Sequence, residues 1–283
     1  MRSSSIQFIA LPRRISDASM ALFEFDLDPV EEIVPWGSPN DPSLSWFVLT
    51  LGQFRMPIGD QVLFRYREEV LRLWESDVQR DAHYQIASIA RDILGSVAPG
   101  VAPLPPFFEL LATDRALLEQ LLSVRLEDEA GRELSPDYYT AWRWLGERSP
   151  WTGYFVENPE FYFVRIGDRI HIRWDNRSKR VDGTEVWEAS YGSYEIPIEA
   201  FTSECRDFSD RLLADMHKRI SCIETGDFHP QVAVSIDSLR EQQESWRCEF
   251  DSYFRAERQD IPWEEAESEI RKTAAVCGAS LPA

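Results

Sequence analysis

The sequence has few of the side chains on which catalytic and metal sites are usually built. It contains four histidines and four cysteines, with no two histidines at i, i+4 and no C-x-x-C pair. Glycine-rich nucleotide motifs, the G-x-S-x-G elbow and H-E-x-x-H are also absent. Because these motifs are absent, we predict no catalytic residues, no metal ion and no cofactor. An enzyme is the less favoured class. Because distant residues converge in folded sites, an enzyme stays open as an alternative.

Basic residues are scarce relative to acidic ones. The chain has 30 Lys and Arg against 49 Asp and Glu, a formal net charge of −19. Such a charge repels nucleic-acid phosphate, so we expect no nucleic-acid partner. It favours encounter with a protein whose surface is basic, although acidity also serves solubility alone.

Long apolar runs are missing too, since none approaches the ~18 residues needed to span a bilayer. We therefore expect no membrane partner. The four cysteines all lie in the last third of the chain, and Cys205 and Cys222 occupy apolar helical positions typical of reduced, buried thiols. This usage predicts a cytoplasmic location.

The N-terminal segment differs in composition from the rest. Residues 1–19 are rich in Ser and Arg, and their apolar stretch is too short for a secretory signal. We expect either a flexible tail or a translation start at Met20. Residues 20–277 are predicted to form one α+β domain, or two lobes over 20–130 and 131–277.

Several segments have the patterns of strands and hairpins. Phe23 to Leu27 alternates apolar and acidic residues, Gly52–Tyr66 is predicted to be a hairpin turning at Gly59-Asp60, and Phe161–Asp175 is the clearest hairpin. Strands are also predicted for Trp46–Leu51 and Val186–Ile196, and a rigid loop for Pro35–Pro42.

Helical spacing of apolar residues predicts the remaining elements. The predicted helices run over Val78–Val97, Leu117–Val124, from Pro136, and over Phe201–Ile223, Ile236–Tyr253 and Trp263–Val276, with a proline-rich break at Ala98–Pro106. Because strands and helices come in blocks, the predicted class is α+β, with an antiparallel sheet packed against several long helices.

The two hairpins resemble each other in sequence. Residues 58–66 and 166–174 are identical at four of nine aligned positions. In both, a glycine is the first residue of the two-residue turn, as a type II′ hairpin requires. One interpretation is a duplicated unit whose hairpins share one sheet or face each other. The alternative is that hairpins with the same turn look alike over a short stretch.

One face of the second hairpin is the candidate binding surface. A two-residue turn pairs Ile166 with Arg169 and puts Tyr162, His171, Arg173 and Asp175 on one face. With Tyr154 before the hairpin and Asn176 after it, these residues predict a polar-aromatic pocket for an anionic group or a partner's carboxylate. The alternative is cross-strand pairing, with Arg173 against the Tyr162 ring and balanced by Asp175.

Two segments, Trp46-Phe47-Val48-Leu49-Thr50 and His171-Ile172-Arg173-Trp174-Asp175-Asn176, resemble an uncharacterised bacterial family known only as a domain of unknown function. The likeness extends from about Met20 to Val276. It implies a bacterial source and no established activity, cofactor or catalytic residue.

The composition favours a cytosolic binding protein that neutralises or regulates a protein partner, and a toxin-immunity protein is the most specific version of this hypothesis. The alternative function is a small-ligand sensor or an enzyme that uses the pocket around Arg173 and His171. The sequence makes no prediction of oligomeric state.

Overall fold

A computed structural model describes residues 21–38, 41–74, 78–128, 136–226, 235–255 and 261–281, so the predicted tail over residues 1–19 lies outside it. Blocks of helices and antiparallel strands confirm the α+β class. The strands are β1 (Glu24–Leu27), β2 (Trp36–Ser38), β3 (Asp41–Ser43), β4 (Leu51–Ile58), β5 (Gln61–Leu63), β6 (Ala82–Gln85), β7 (Phe161–Ile166), β8 (Arg169–Asp175), β9 (Arg180–Val181), β10 (Thr184–Glu185) and β11 (Tyr191–Pro197). The helices are α1 (Trp46–Leu49), α2 (Glu68–Leu73), α3 (Ile86–Gly95), α4 (Val97–Val101), α5 (Pro106–Thr113), α6 (Arg115–Asp128), α7 (Pro136–Gly146), α8 (Ile198–Glu224), α9 (Ile236–Tyr253) and α10 (Trp263–Cys277).

Both predicted hairpins are present with the predicted turns. Strands β4 and β5 turn at Gly59, which has φ 64°, and strands β7 and β8 turn at Gly167, which has φ 60°. The residue after each glycine has no positive φ, as a type II′ turn requires. Ile166 pairs with Arg169, so the predicted register of the second hairpin is confirmed.

The two hairpins lie in different sheets. The first sheet has the order β1-β4-β5 with β6 also paired to β4, and the second has the order β11-β8-β7. β4 pairs with β1 on one edge and with β6 and then β5 on the other, and none of the described pairings joins it to the second hairpin. The first turn instead approaches β11, where a Cβ on Gly59 would lie 3.9 Å from the Tyr194 ring.

Two predicted elements have a different secondary structure. The predicted strand at Trp46–Leu51 is the short helix α1, whose first N–H, on Trp46, donates to the Gln242 side chain. A short apolar run has no period of its own, so its sequence does not separate the two structures. The predicted helix from Val78 begins only at Ile86, because residues 82–85 pair with β4.

Three boundaries also differ from the prediction. Pro35–Pro42 contains the strand β2 and part of β3, which pair as a small hairpin. Ala98–Pro106 is helical up to Val101 and again from Pro106. The strand predicted from Val186 begins at Tyr191. Val186, which precedes this strand, is instead hydrogen-bonded to the segment that follows β5 of the first sheet. There the Arg67 N–H donates to the Val186 carbonyl.

The core consists of two clusters that together cover both faces of the second sheet. The main cluster packs the first sheet, α3, α8 and α9 against one face of β7 and β8, through buried side chains such as Phe163 and Ile172. The second cluster packs α5, α6, α7 and α10 against the other face, where Val164 is fully buried. Covering both faces leaves the ends and edges of this sheet as the places where its polar side chains reach solvent.

Across the described ranges, no single helix combines the length and the apolar character needed to cross a membrane, although the bent pair Ile86–Val101 and Pro106–Thr113 meets both criteria jointly.

Candidate binding site

The predicted binding face lies beneath helix α5. The Arg173 guanidinium donates to the carbonyl of Ala112, and the Gly167 N–H donates to Glu109, so α5 is fastened over the strands at both of its ends. Arg173 is only 6% exposed. An open pocket around Arg173 and His171 is therefore not what these strands form. The apolar side of α5 needs cover, and the β7–β8 face supplies it.

Tyr162 and Arg173 form the cross-strand pair that the alternative interpretation predicts. They lie directly opposite each other on β7 and β8, close enough for the charge of Arg173 to act on the Tyr162 phenol. Burial raises the pKa of Tyr162, and the charge and hydrogen bond of Arg173 act in the opposite direction. Asp175 does not balance Arg173, because it binds Arg177 instead.

His171 faces a carboxylate on the neighbouring strand. Its Nδ1 lies 3.6 Å from Oε1 of Glu195, its directly opposed partner on β11. Burial lowers the pKa of His171, and the nearby charges of Arg173 and Arg169 lower it further, while Glu195 raises it. The net lowering keeps the imidazole neutral at pH 7.

Asn176 holds the loop after β8. Its side chain is completely buried, and its amide donates to the Ala189 carbonyl at 3.0 Å while its oxygen accepts the Glu160 N–H at 2.7 Å. These two bonds are internal to the protein. Asn176 therefore fixes the conformation of the loop next to Asp175.

Tyr154 belongs to the main core cluster and not to the face of Tyr162 and His171. Its ring stacks on Tyr84 with centroids 4.3 Å apart, and burial together with the nearby charge of Asp92 raises the pKa of its hydroxyl. Burial raises the pKa of Asp92, although Arg91 and Tyr154 act against that rise. The Oδ2 atom of Asp92 has no hydrogen-bond partner within the described part of the chain.

Replacing this carboxyl by its neutral isostere should stabilise the protein in a pH-dependent way. A carboxyl whose pKa is raised by folding contributes stability below its ordinary pKa and loses that contribution as the pH rises through the raised value. Asp92→Asn should therefore increase the free energy of unfolding at pH 8, and the increase should shrink as the pH falls toward about 4, the ordinary pKa of an aspartate. Urea denaturation at both pH values measures it, and an increase of the same size at both would contradict the assignment.

A group of polar side chains lies at the end of the second sheet opposite its hairpin turn. We call this group the Tyr191 cluster: Tyr191, Arg115, Arg177, Glu119 and Asp175. The Tyr191 ring, 37% exposed, lies between two guanidiniums whose carbons are 3.6 Å (Arg115) and 4.0 Å (Arg177) from the ring centroid. Each guanidinium gains a cation–π contact, and together the two hold the ring in place.

Arg115 ties three elements together beneath this ring. From helix α6 it donates to the Gly192 carbonyl on β11 and to the Trp174 carbonyl on β8, each at 2.8 Å, and to Glu119 at 2.7 Å. Gly192 leaves room for the Trp174 ring on β8, because a Cβ at Gly192 would lie 2.3 Å from that ring. Tyr191 therefore lies on a stretch of backbone that the hydrogen bonds of Arg115 hold in place.

Asp175 and Arg177 form a two-point ion pair at the outer side of the cluster. The guanidinium donates to both carboxylate oxygens, at 2.9 and 2.5 Å. Burial alone would raise the pKa of Asp175, but the hydrogen bonds and charge of Arg177 outweigh it and lower the pKa. The pair stays ionised at neutral pH and fixes the Arg177 side chain against Tyr191.

The strands that carry this cluster differ in charge from the rest of the chain. Residues 161–197 contain six basic and six acidic side chains, so the whole acidic excess of the protein lies outside them. Their surface is mixed in sign, and Arg and Tyr are the residue types most enriched at binding hot spots. Among the described residues, no three or more His, Cys, Asp or Glu side chains group as a metal ion would require.

Comparison with known proteins identifies a family for this chain. A family model described as a family of unknown function, DUF5984, matches residues 22–269. No curated protein and no solved structure gives a significant match. The family match spans both sheets and all the residues of the Tyr191 cluster, and it confirms the resemblance to an uncharacterised family. The chain belongs to the family of unknown function DUF5984.

Proposed function

We propose that this chain is a cytosolic bacterial binding protein that neutralises or regulates a protein partner, and that it contacts this partner through the Tyr191 cluster. The observation that carries the proposal is the half-exposed Tyr191 ring held between two guanidiniums on fixed backbone. Binding through a preorganised aromatic side chain costs little ordering entropy. A toxin-immunity protein is the most specific form of this proposal.

Charge supports a protein partner more than a nucleic acid. The chain as a whole has a formal net charge of −19, which steers a basic protein toward it from a distance. The mixed charges of the cluster then set the orientation at contact, because Arg177 and Asp175 present opposite signs side by side. The four cysteines are free, which suits a reducing cytoplasm; Cys205 is buried as predicted, whereas the prediction of a buried Cys222 is wrong because that side chain is exposed.

The alternative of a ligand pocket around Arg173 and His171 has less support. Helix α5 occupies the space over Arg173, and the Arg173 guanidinium donates to the Ala112 carbonyl of that helix. We therefore place the binding surface at the exposed end of the same strands, where Asp175 remains a member.

Removing the Tyr191 ring should abolish capture of the partner. In affinity capture from the native cells, the wild-type chain should retain one stoichiometric protein, and Tyr191→Ala should reduce its recovery at least tenfold, as loss of a hot spot worth about 2 kcal/mol requires. Quantitative mass spectrometry of the captured proteins measures the recovery.

A matched arginine tests whether the effect is local. Arg180 lies on the same segment, has a side-chain exposure of 50% against 51% for Arg177, and also pairs with a carboxylate, that of Glu185. Arg177→Ala should weaken capture, whereas Arg180→Ala should leave it unchanged. Equal losses from both substitutions would show a general charge effect and would argue against this cluster.

A further inference from the structure

A cleft of about 250 Å³ opens at the turn end of the second sheet. Its walls come from helix α4, the first turns of α8 and the end of α9. The side chains of Val97, Val101, Pro103 and Phe254 make most of its surface apolar, and Thr202 and Arg165 add polar atoms. At roughly 30 Å³ for each water-sized group, the cleft holds about eight of them.

Two arginines without acidic partners among the described residues lie at this cleft: Arg165 lines it, and Arg206 lies next to it, over the ring of Phe254 that lines it. Arg165 lines it and donates only to the carbonyls of Gly167 and Val101. Arg206 lies one helical turn after Thr202, and its guanidinium covers the Phe254 ring at 4.2 Å. Neither forms an ion pair with any carboxylate of the described residues, in a chain with 49 acidic side chains.

The acidic residues next to Arg206 are already engaged elsewhere. Glu204 accepts the N–H of Leu22, and Asp207 pairs with Arg211 at 2.6 Å. Neither of these two carboxylates pairs with the Arg206 guanidinium, which lies over the Phe254 ring next to the cleft. An apolar cavity with a few convergent polar groups at one side is the usual form of a small-molecule site.

We propose that this cleft binds a small organic carboxylate with an apolar body of about six carbon atoms, a size that follows from the cleft volume. The body packs between Val97, Val101 and Phe254. The carboxylate lies at the rim, where Arg206 and Arg165 donate to it, since guanidinium–carboxylate hydrogen bonds are the strongest that this rim offers.

This site is independent of the proposed protein-binding function. The Tyr191 cluster lies at the other end of β8, where Asp175 pairs with Tyr191, whereas Arg165 lies beside the hairpin turn. Six residues of extended strand separate the two ends by roughly 20 Å. Loss of one site leaves the other testable in the same protein.

The experiment compares benzoate with benzamide, its uncharged isostere, in ligand-observed NMR titrations of the full chain. We expect benzoate to bind with a dissociation constant of about 0.1–1 mM, typical of so small a ligand, and benzamide at least tenfold more weakly. Arg206→Ala should weaken benzoate binding about tenfold, as the loss of a charge-assisted hydrogen bond does. Arg247→Ala, an exposed arginine on α9 paired with Glu244, should not weaken it.

A second variant tests the cavity without touching its charges. Ala98 lines the cleft, and Ala98→Leu should fill it and remove benzoate binding while circular dichroism shows an unchanged fold. Equal binding of benzoate and benzamide would overturn the proposal. So would no binding of benzoate at about 20 mM, well above the expected constant, or unchanged binding in both Arg206→Ala and Ala98→Leu.

Discussion

Phe64→Ala should lower the free energy of unfolding by about 3–5 kcal/mol, the usual cost of truncating a fully buried phenylalanine. Phe64 is 1% exposed and follows β5, where its ring makes edge contacts with Phe54 of the first sheet at 4.9 Å and Phe161 of the second at 5.4 Å. It also contacts Phe155 and Trp187. Its loss would leave a cavity where the two sheets meet.

The backbone of Phe64 provides a second and sharper test. Its φ is 67°, in the left-handed region where a side chain is strained and glycine is not. Glycine is ordinarily less favourable than alanine by about 1 kcal/mol because it gains more freedom on unfolding. At this position that difference should vanish or reverse, so Phe64→Gly should be at least as stable as Phe64→Ala.

Urea denaturation followed by tryptophan fluorescence measures all three proteins, and Leu110→Ala serves as an exposed apolar control. A loss below about 1 kcal/mol for Phe64→Ala would contradict its place between the sheets. A free energy of unfolding clearly lower for Phe64→Gly than for Phe64→Ala would contradict the left-handed backbone conformation at this position.

Gly52→Ala should be the most damaging small substitution in the first sheet, at about 3 kcal/mol or more, the upper range for overpacking. A Cβ on Gly52 would lie 2.3 Å from the Asp26 carbonyl oxygen and 2.8 Å from the Leu27 Cα, and both are backbone atoms of β1. No rotamer change relieves such a clash. The pairing of β1 with β4, in which Leu27 lies opposite Gly52, would have to open.

Gly146 is the matched control for this substitution. It is the last residue of α7, and a Cβ there would have no other heavy atom within 4 Å. Gly146→Ala should change stability by less than about 1 kcal/mol, and in the stabilising direction, because alanine favours the helix. If Gly52→Ala unfolds at the same denaturant concentration as the wild-type protein, the close approach of β1 and β4 is wrong.

The elements predicted correctly are those whose information is local. Both hairpins follow from a glycine-led turn and period-two alternation, and α8 and α9 from long runs of helical spacing. The errors occur where tertiary contacts decide. Residues 82–85 fit a helical pattern but pair with β4, and Trp46–Leu49 fits a strand but forms a helix whose first N–H is bound by Gln242.

The candidate site likewise combines features that follow from local sequence with features that depend on tertiary contacts. Hairpin register alone predicts that Tyr162 lies opposite Arg173 and that Asp175 lies near the strand end. The cover supplied by α5 and the approach of Arg115 to Tyr191, 76 residues along the chain, depend on how helices pack on the sheet, and one sequence contains no signal for that packing. Gly192 is a local sign of a close approach, but the group that approaches is the Trp174 ring of the neighbouring strand.

The most direct test of the proposed function is a titration of the captured partner, once purified, with the wild-type chain, Tyr191→Ala and Arg180→Ala. We predict that Tyr191→Ala raises the dissociation constant at least tenfold, as loss of a hot-spot ring does, and that Arg180→Ala leaves it within about twofold. Circular dichroism confirms that each variant is folded. Unchanged affinity of folded Tyr191→Ala would contradict the account, because the partner would then bind without the ring that carries the proposal.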